Sequence, residues 1–122
     1  MFLKLAHTKL QAYEKSESLV ITCYKITKKF PGEEKFALVQ QIRRASMSVF
    51  LNLSEGCSRK SSLERTRFFE ICRGSLIEVD SAFNIAVKLG FVTTEELSET
   101  GELIIVNFKL ISGLITGNKT HN

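Results

Sequence analysis

Apolar side chains recur every three to four positions through most of this chain, the period of amphipathic helices. Four such stretches are set apart by local punctuation. Phe30-Pro31-Gly32 closes the first, because proline restricts the residue before it and cannot continue the ladder. Gly56 and Gly90 follow the second and third, where a left-handed glycine cap is expected. Ser61-x-x-Glu64 and Thr93-x-x-Glu96 are capping boxes that open the third and fourth. The pattern predicts helices over about 8–29, 33–56, 62–89 and 94–116 within one domain, residues 1–122. No run of useful length has the period of a strand. Short connections favour antiparallel neighbours, so the expected fold class is all-α, an antiparallel up-down four-helix bundle.

The second helix carries the most information. At about 100° per residue, Leu38, Ile42, Ala45, Val49 and Leu53 fill one sector. Phe36, Val39, Met47, Phe50 and Leu51 cover much of what remains. Between them runs a polar stripe in register: Gln41, Arg44, Ser48, Asn52 and Glu55. A helix on the surface of a lone bundle needs only one apolar stripe. The fourth helix is similar, with Leu97, Ile104, Phe108, Ile111 and Ile115 on one stripe and Leu103, Val106, Leu110 and Leu114 on another. This excess points to an oligomer interface through Phe50, Leu51, Leu103, Val106 and Leu110. The polar stripe has three readings: a solvated face, a satisfied network at a helix or subunit seam, or a ligand contact. The core face of the first helix is expected at Leu10, Tyr13, Val20, Ile21 and Tyr24. That of the third is expected at Phe68, Cys72, Val79, Phe83 and Ala86. Gly74 sits mid-helix at a cost of about 1 kcal/mol relative to Ala, which predicts close approach by a neighbouring helix.

Composition changes this picture little. Hydrophobic residues make up 43% and charged residues 25%, ordinary for a globular domain. The longest apolar segment, 103–115, is interrupted by Asn107 and Lys109, so no membrane partner is expected. The amino-terminal residues lack the apolar core of a signal peptide. Cys23, Cys57 and Cys72 are odd in number and lack CxxC spacing, which favours a reducing cytoplasm and buried thiols. Net charge is +4 and the isoelectric point is near 9.1. All six arginines fall between positions 43 and 73. Arg73 has Glu70 at i−3 as a partner. Arg43, Arg59, Lys60, Arg65 and Arg67 have fewer acids nearby and flank the turn between the second and third helices. They are the candidate phosphate contacts at one pole of the bundle.

Catalytic chemistry is not indicated. His7 and His121 stand near opposite ends of the chain. No His, Cys or acid set has metal spacing, and no phosphate loop or paired nucleophile is present. Neither cofactor nor metal is expected, and the chain is read as a non-enzyme. Asn52-Leu53-Ser54 and Asn118-Lys119-Thr120 match the glycosylation sequon by chance in this compartment.

One resemblance joins these features. Phe30-Pro31, Glu33-Glu34, Leu38, Gln41, Arg44-Ala45, Ser48, Asn52, Glu55-Gly56 and Gly74-Ser75 together resemble the motifs of a bacterial family. Its members are four-helix-bundle proteins encoded in intervening sequences of 23S ribosomal RNA genes. Related bundles are accessory proteins of diversity-generating retroelements. The likeness spans about Leu10 to Leu114. It departs at Phe50, where the family usually has proline, a common cause of helix kinks. The resemblance implies a homopentameric ring and an RNA- or other nucleic-acid-binding adaptor. The alternative is a protein-interaction scaffold that docks a partner such as a reverse transcriptase without touching nucleic acid.

Overall fold

A computed structural model describes residues 2, 3 and 5–120, the last two without their side chains. Its helices are α1 (Gln11–Thr27), α2 (Leu38–Ser58), α3 (Ser62–Lys88) and α4 (Ser98–Thr120), and no strand occurs among the described residues. They contact one another in a cycle, α1 with α2, α2 with α3, α3 with α4 and α4 with α1, around one core. This is a four-helix arrangement with Leu19, Ile42, Val49, Leu53, Leu76, Val79 and Ile111 fully buried at its centre.

The helix starts lie later than the periodicity suggests. Residues Ala6–Lys9 form a 3-10 turn before α1, and Gly32–Glu34 form another before α2. Ala37, at φ −125° and ψ −102°, interrupts the ladder, so α2 begins at Leu38. Glu34 still serves this helix, its carboxylate accepting from the Leu38 N–H at 3.4 Å. The Thr93–Glu96 box forms in both directions, at 3.0 and 3.1 Å, but it closes a separate turn, and α4 starts at Ser98. α4 then continues to Thr120, past the expected end at 116. The remaining two positions, including His121, lie outside the described residues. By length and composition alone, Ser98–Asn118 could cross a membrane, at mean hydropathy 1.2. The core helix of a bundle meets the same criterion, and only 28% of this stretch is buried. α4 therefore keeps much apolar surface uncovered.

Two glycines behave differently from expectation. Gly90, at φ +79°, caps α3 as the pattern predicts, with Phe91 N–H donating to Ala86 O and Gly90 N–H to Val87 O. Gly56 is not a left-handed cap. It lies inside α2, and a Cβ there would sit 2.8 Å from Phe69 Cε1 and 3.0 Å from Phe68 Cβ. The close approach expected at Gly74 is found at Gly56 instead; a Cβ at Gly74 meets nothing within 4 Å.

The core faces shift accordingly. α1 turns Ala12, Ser16, Leu19, Cys23 and Thr27 inward and leaves Ile21 and Tyr24 on the surface. Apart from Leu19 its inward side is built of small residues, which apolar periodicity under-weights. On α3 the buried ring is Phe69, with Phe68 half-buried. On α4, Ile111 and Ile115 are buried while Phe108 stays 40% exposed. Phe50 packs on Tyr13 with ring centroids 4.9 Å apart, and α2 is continuous through it.

The contrast between the two glycines is measurable by chemical denaturation. Gly56→Ala should cost about 1–3 kcal/mol through overpacking. Gly74→Ala should be neutral or stabilising by up to about 1 kcal/mol, the gain in helix propensity. Equal effects at the two positions would contradict the packing described.

Candidate nucleic-acid interface and polar seam

The polar stripe of α2 lies along its contact with α3. Gln41 Nε2 donates to Glu78 Oε2, and Arg44 Nη2 stands 3.9 Å from the same oxygen. Ser48 and Ser75 share a hydrogen bond of 2.8 Å. Asn52 Nδ2 donates to Ser48 O at 2.9 Å and to Ser48 Oγ at 3.0 Å. Glu55 accepts from Arg59 Nη2 at 2.7 Å. Every member of the stripe therefore has a partner, supplied by α3, by α2 itself or, for Glu55, by Arg59 at the cap of α2. Glu78 and Ser75 are the α3 residues that sequence periodicity did not single out. Their spacing of three along α3 was the available signal.

The basic residues expected at the pole fall into two groups. Arg65 is engaged on every nitrogen. Its Nε donates to Asn118 Oδ1 at 3.0 Å, and Nη1 donates to Arg59 O at 2.9 Å and Lys60 O at 2.6 Å. Its Nη2 donates to Ser62 Oγ at 3.2 Å. Asn118 in turn donates to Ser62 O and Thr66 Oγ1. This clasp ties the α2–α3 turn to the last turns of α4. Asn118 was not singled out as a structural residue because it lies past 116, where the fourth helix was expected to end. Arg43 lies at the other end of α2, its Nε donating to buried Thr27 Oγ1 at 2.9 Å and its guanidinium over the Tyr24 ring. Arg59 pairs with Glu55 and lies over Phe68, 5.0 Å from the ring centroid. Among the described residues, Lys60 and Arg67 are exposed and carry no such partner. Arg43 is thus remote from the pole and Arg65 is an internal clasp. Arg65 spends donors on every nitrogen inside the bundle, and Arg43 spends its Nε and Nη2 on Thr27 Oγ1 and Tyr24 O.

The expected interface residues also separate. Leu103 and Leu110 pack partly buried against the core of their own bundle, as Phe50 does on Tyr13. Leu51 remains 54% exposed and Val106 half-buried. Further uncovered apolar residues lie on α1, α3 and α4, among them Ile21, Ile77 and Ile105.

The thiols have no activating environment. Burial pushes Cys23 and Cys72 up to about 12, and raises Cys57 despite the opposing field of Arg65. Cys57 lines an open groove of about 580 Å³ with Leu10, Phe69 and Leu114. Among the described residues no set of His, Cys, Asp and Glu could hold a metal.

With this geometry in view, comparison with known proteins places the chain. The profile of the 23S rRNA-intervening sequence protein family matches residues 8–113, and the chain belongs to that family. No curated protein matches it. Among solved structures it is similar to a protein of unknown function from the S23 ribosomal protein family of Bacteroides thetaiotaomicron VPI-5482. The TM-score is 0.76 at 18% identity, over 85% of this chain and 97% of that one. That likeness extends to the fold.

Two measurements follow from the site. Arg65→Ala and Asn118→Ala should each cost about 1–3 kcal/mol, because buried partners lose their hydrogen bonds. Glu55→Ala should stay within about 1 kcal/mol, since its ion pair is exposed. In the native protein a thiol reagent at pH 8 should label Cys57 first and leave Cys23 and Cys72 unmodified until unfolding, because a raised thiol carries little thiolate. Equal labelling rates for all three would refute the burial described.

Proposed function

We propose that this protein is a non-enzymatic, oligomeric RNA- or nucleic-acid-binding adaptor, built as an antiparallel up-down bundle that assembles into a ring. Lys60 and Arg67 carry the reading. They stand at the start of α3, in a chain of net charge +4, and neither forms an ion pair among the described residues. The amino-terminal end of this 27-residue helix adds the positive end of its dipole to the same pole. Membership of a family named for 23S rRNA intervening sequences makes structured RNA the first candidate. In a ring the weak pair repeats in every subunit, and repetition converts modest contacts into avidity. A homopentamer, as the family resemblance implies, is the assembly to test first. The thiols suit a reducing cytoplasm. The scaffold reading, in which the bundle docks a partner protein, remains the competitor.

Salt dependence separates the two. Binding of the purified protein to a fluorescent structured RNA should weaken steeply as salt rises, because neutralised phosphates release counterions. Lys60→Ala with Arg67→Ala should weaken binding across many sequences and flatten the log–log slope by about 1.5 per subunit engaged. Assembly should survive, since neither side chain lies in an apolar face. Wild-type protein that fails to bind at low salt, or a double variant with an unchanged slope, would remove the pole from the mechanism and favour the scaffold.

A further inference from the structure

The groove that holds Cys57 lies where the start of α1, the end of α2, the start of α3 and the end of α4 meet. Its volume of about 580 Å³ falls in the range of about 300–1,000 Å³ that encloses small-molecule ligands. Ala6 and His7 close one side from the 3-10 turn that precedes α1. Leu10, Phe69 and Leu114 supply apolar surface. Gly113 and Gly117 stand one turn apart on α4, and a Cβ at either would meet nothing within 4 Å. Unlike Gly56, neither makes room for another helix, and the space beside them belongs to the groove.

The charge in this groove is one-sided. Arg65 lines it and no acid does. Four of the five guanidinium N–H groups hold the clasp described above, which leaves one on Nη2. None of the four acceptors is a carboxylate, and Arg65 forms no ion pair among the described residues. The half-buried guanidinium therefore keeps a full positive charge in the groove wall. Its field is felt at Cys57, where it opposes the upward push of burial on the thiol. His7 adds an imidazole with no hydrogen-bond partner among the described residues. A cation partly withdrawn from water gains most from a carboxylate, through charge-assisted hydrogen bonds. The Asn118 amide is already spent on Ser62 O and Thr66 Oγ1. The rest of the side-chain lining is apolar apart from the Cys57 thiol, itself a small hydrophobe, which suits a hydrocarbon tail. We propose that this groove binds the monomer of a single-chain aliphatic acid. Its carboxylate meets Arg65 and His7, and its tail lies along Leu10, Phe69 and Leu114 beside the two glycines. Lys60 and Arg67 do not line the groove, so the site stands independently of the nucleic-acid reading.

Calorimetric titration of the full chain with decanoate, kept below its micelle-forming concentration, tests the proposal. Decanoate should bind at one site per chain. Decanol and decyltrimethylammonium carry the same tail without the negative charge, and each should bind about tenfold more weakly or worse. Saturating decanoate should slow modification of Cys57 by a thiol reagent about fivefold or more, because the occupied groove covers the thiol. Gly113→Leu fills the groove from an exposed position on α4. It should keep the helical circular dichroism spectrum and lose both the binding heat and the protection. Decanol that binds as well as decanoate would remove Arg65 from the site and overturn the proposal. Decanoate that binds without protecting Cys57, or that binds folded Gly113→Leu as it binds wild type, would place the ligand elsewhere and overturn it too. No binding by wild type would end it outright and leave the nucleic-acid reading untouched. The comparison of the three ligands needs only the wild-type protein, so it decides the matter even if the variant does not fold.

Discussion

At Gly56 helices α2 and α3 come so close that any β-carbon would press on the Phe69 ring. Much of the bundle is arranged around that approach. It brings Ser48 within 2.8 Å of Ser75 and Gln41 onto Glu78, so a row of polar side chains can span the seam. It lets Cys72 Sγ reach Val49 O across the same contact at 3.3 Å. It also keeps the turn between the helices short enough for one arginine, Arg65, to hold it by two carbonyls. A larger residue at 56 would loosen all three together, because packed interiors transmit such strain rather than absorb it.

The existence and order of the four helices were legible because the apolar period persists for five or more turns in each of α2, α3 and α4. The helix starts were not. They depend on short 3-10 segments and on Ala37, whose backbone conformation has no sequence signature. The polar stripe was visible as a stripe, but its partners Ser75 and Glu78 are on another helix, and a single helical wheel cannot show them. Small core residues were the main loss. Apart from Leu19, α1 is buried through Ala12, Ser16, Cys23 and Thr27 while Ile21 and Tyr24 face outward, a choice that hydrophobicity alone does not anticipate.

Clustered arginine in sequence overstates the free charge in space. Of the six arginines between 43 and 73, Arg43, Arg59 and Arg65 each make at least one contact that organises the bundle itself, and Arg44 and Arg73 reach α3 and α4 partners. Arg suits this work because its planar fork serves several acceptors at once. Lys60 and Arg67 differ in making no side-chain hydrogen bond or ion pair among the described residues, although Glu64 and Glu70 line the same groove as Arg67. A basic isoelectric point is therefore a poor guide to a binding surface until the internally engaged cations are subtracted.

Asn107 has a consequence for how α4 is seated. It is fully buried among apolar neighbours, its Nδ2 donating to Lys15 O at 3.0 Å and to Leu103 O at 2.8 Å, with Oδ1 unpartnered. A helix lined by near-equivalent leucines and isoleucines could slide by one turn, about 5.4 Å, and still present an apolar stripe. Such a slip would carry the amide away from Lys15 and leave one N–H unpaired in the core beside the orphaned Oδ1, while the bond to Leu103 O within α4 persists, a loss of about 1–3 kcal/mol. The asparagine thus works as a detent. It adds little to overall stability but makes one longitudinal setting of α4 against α1 the only cheap one.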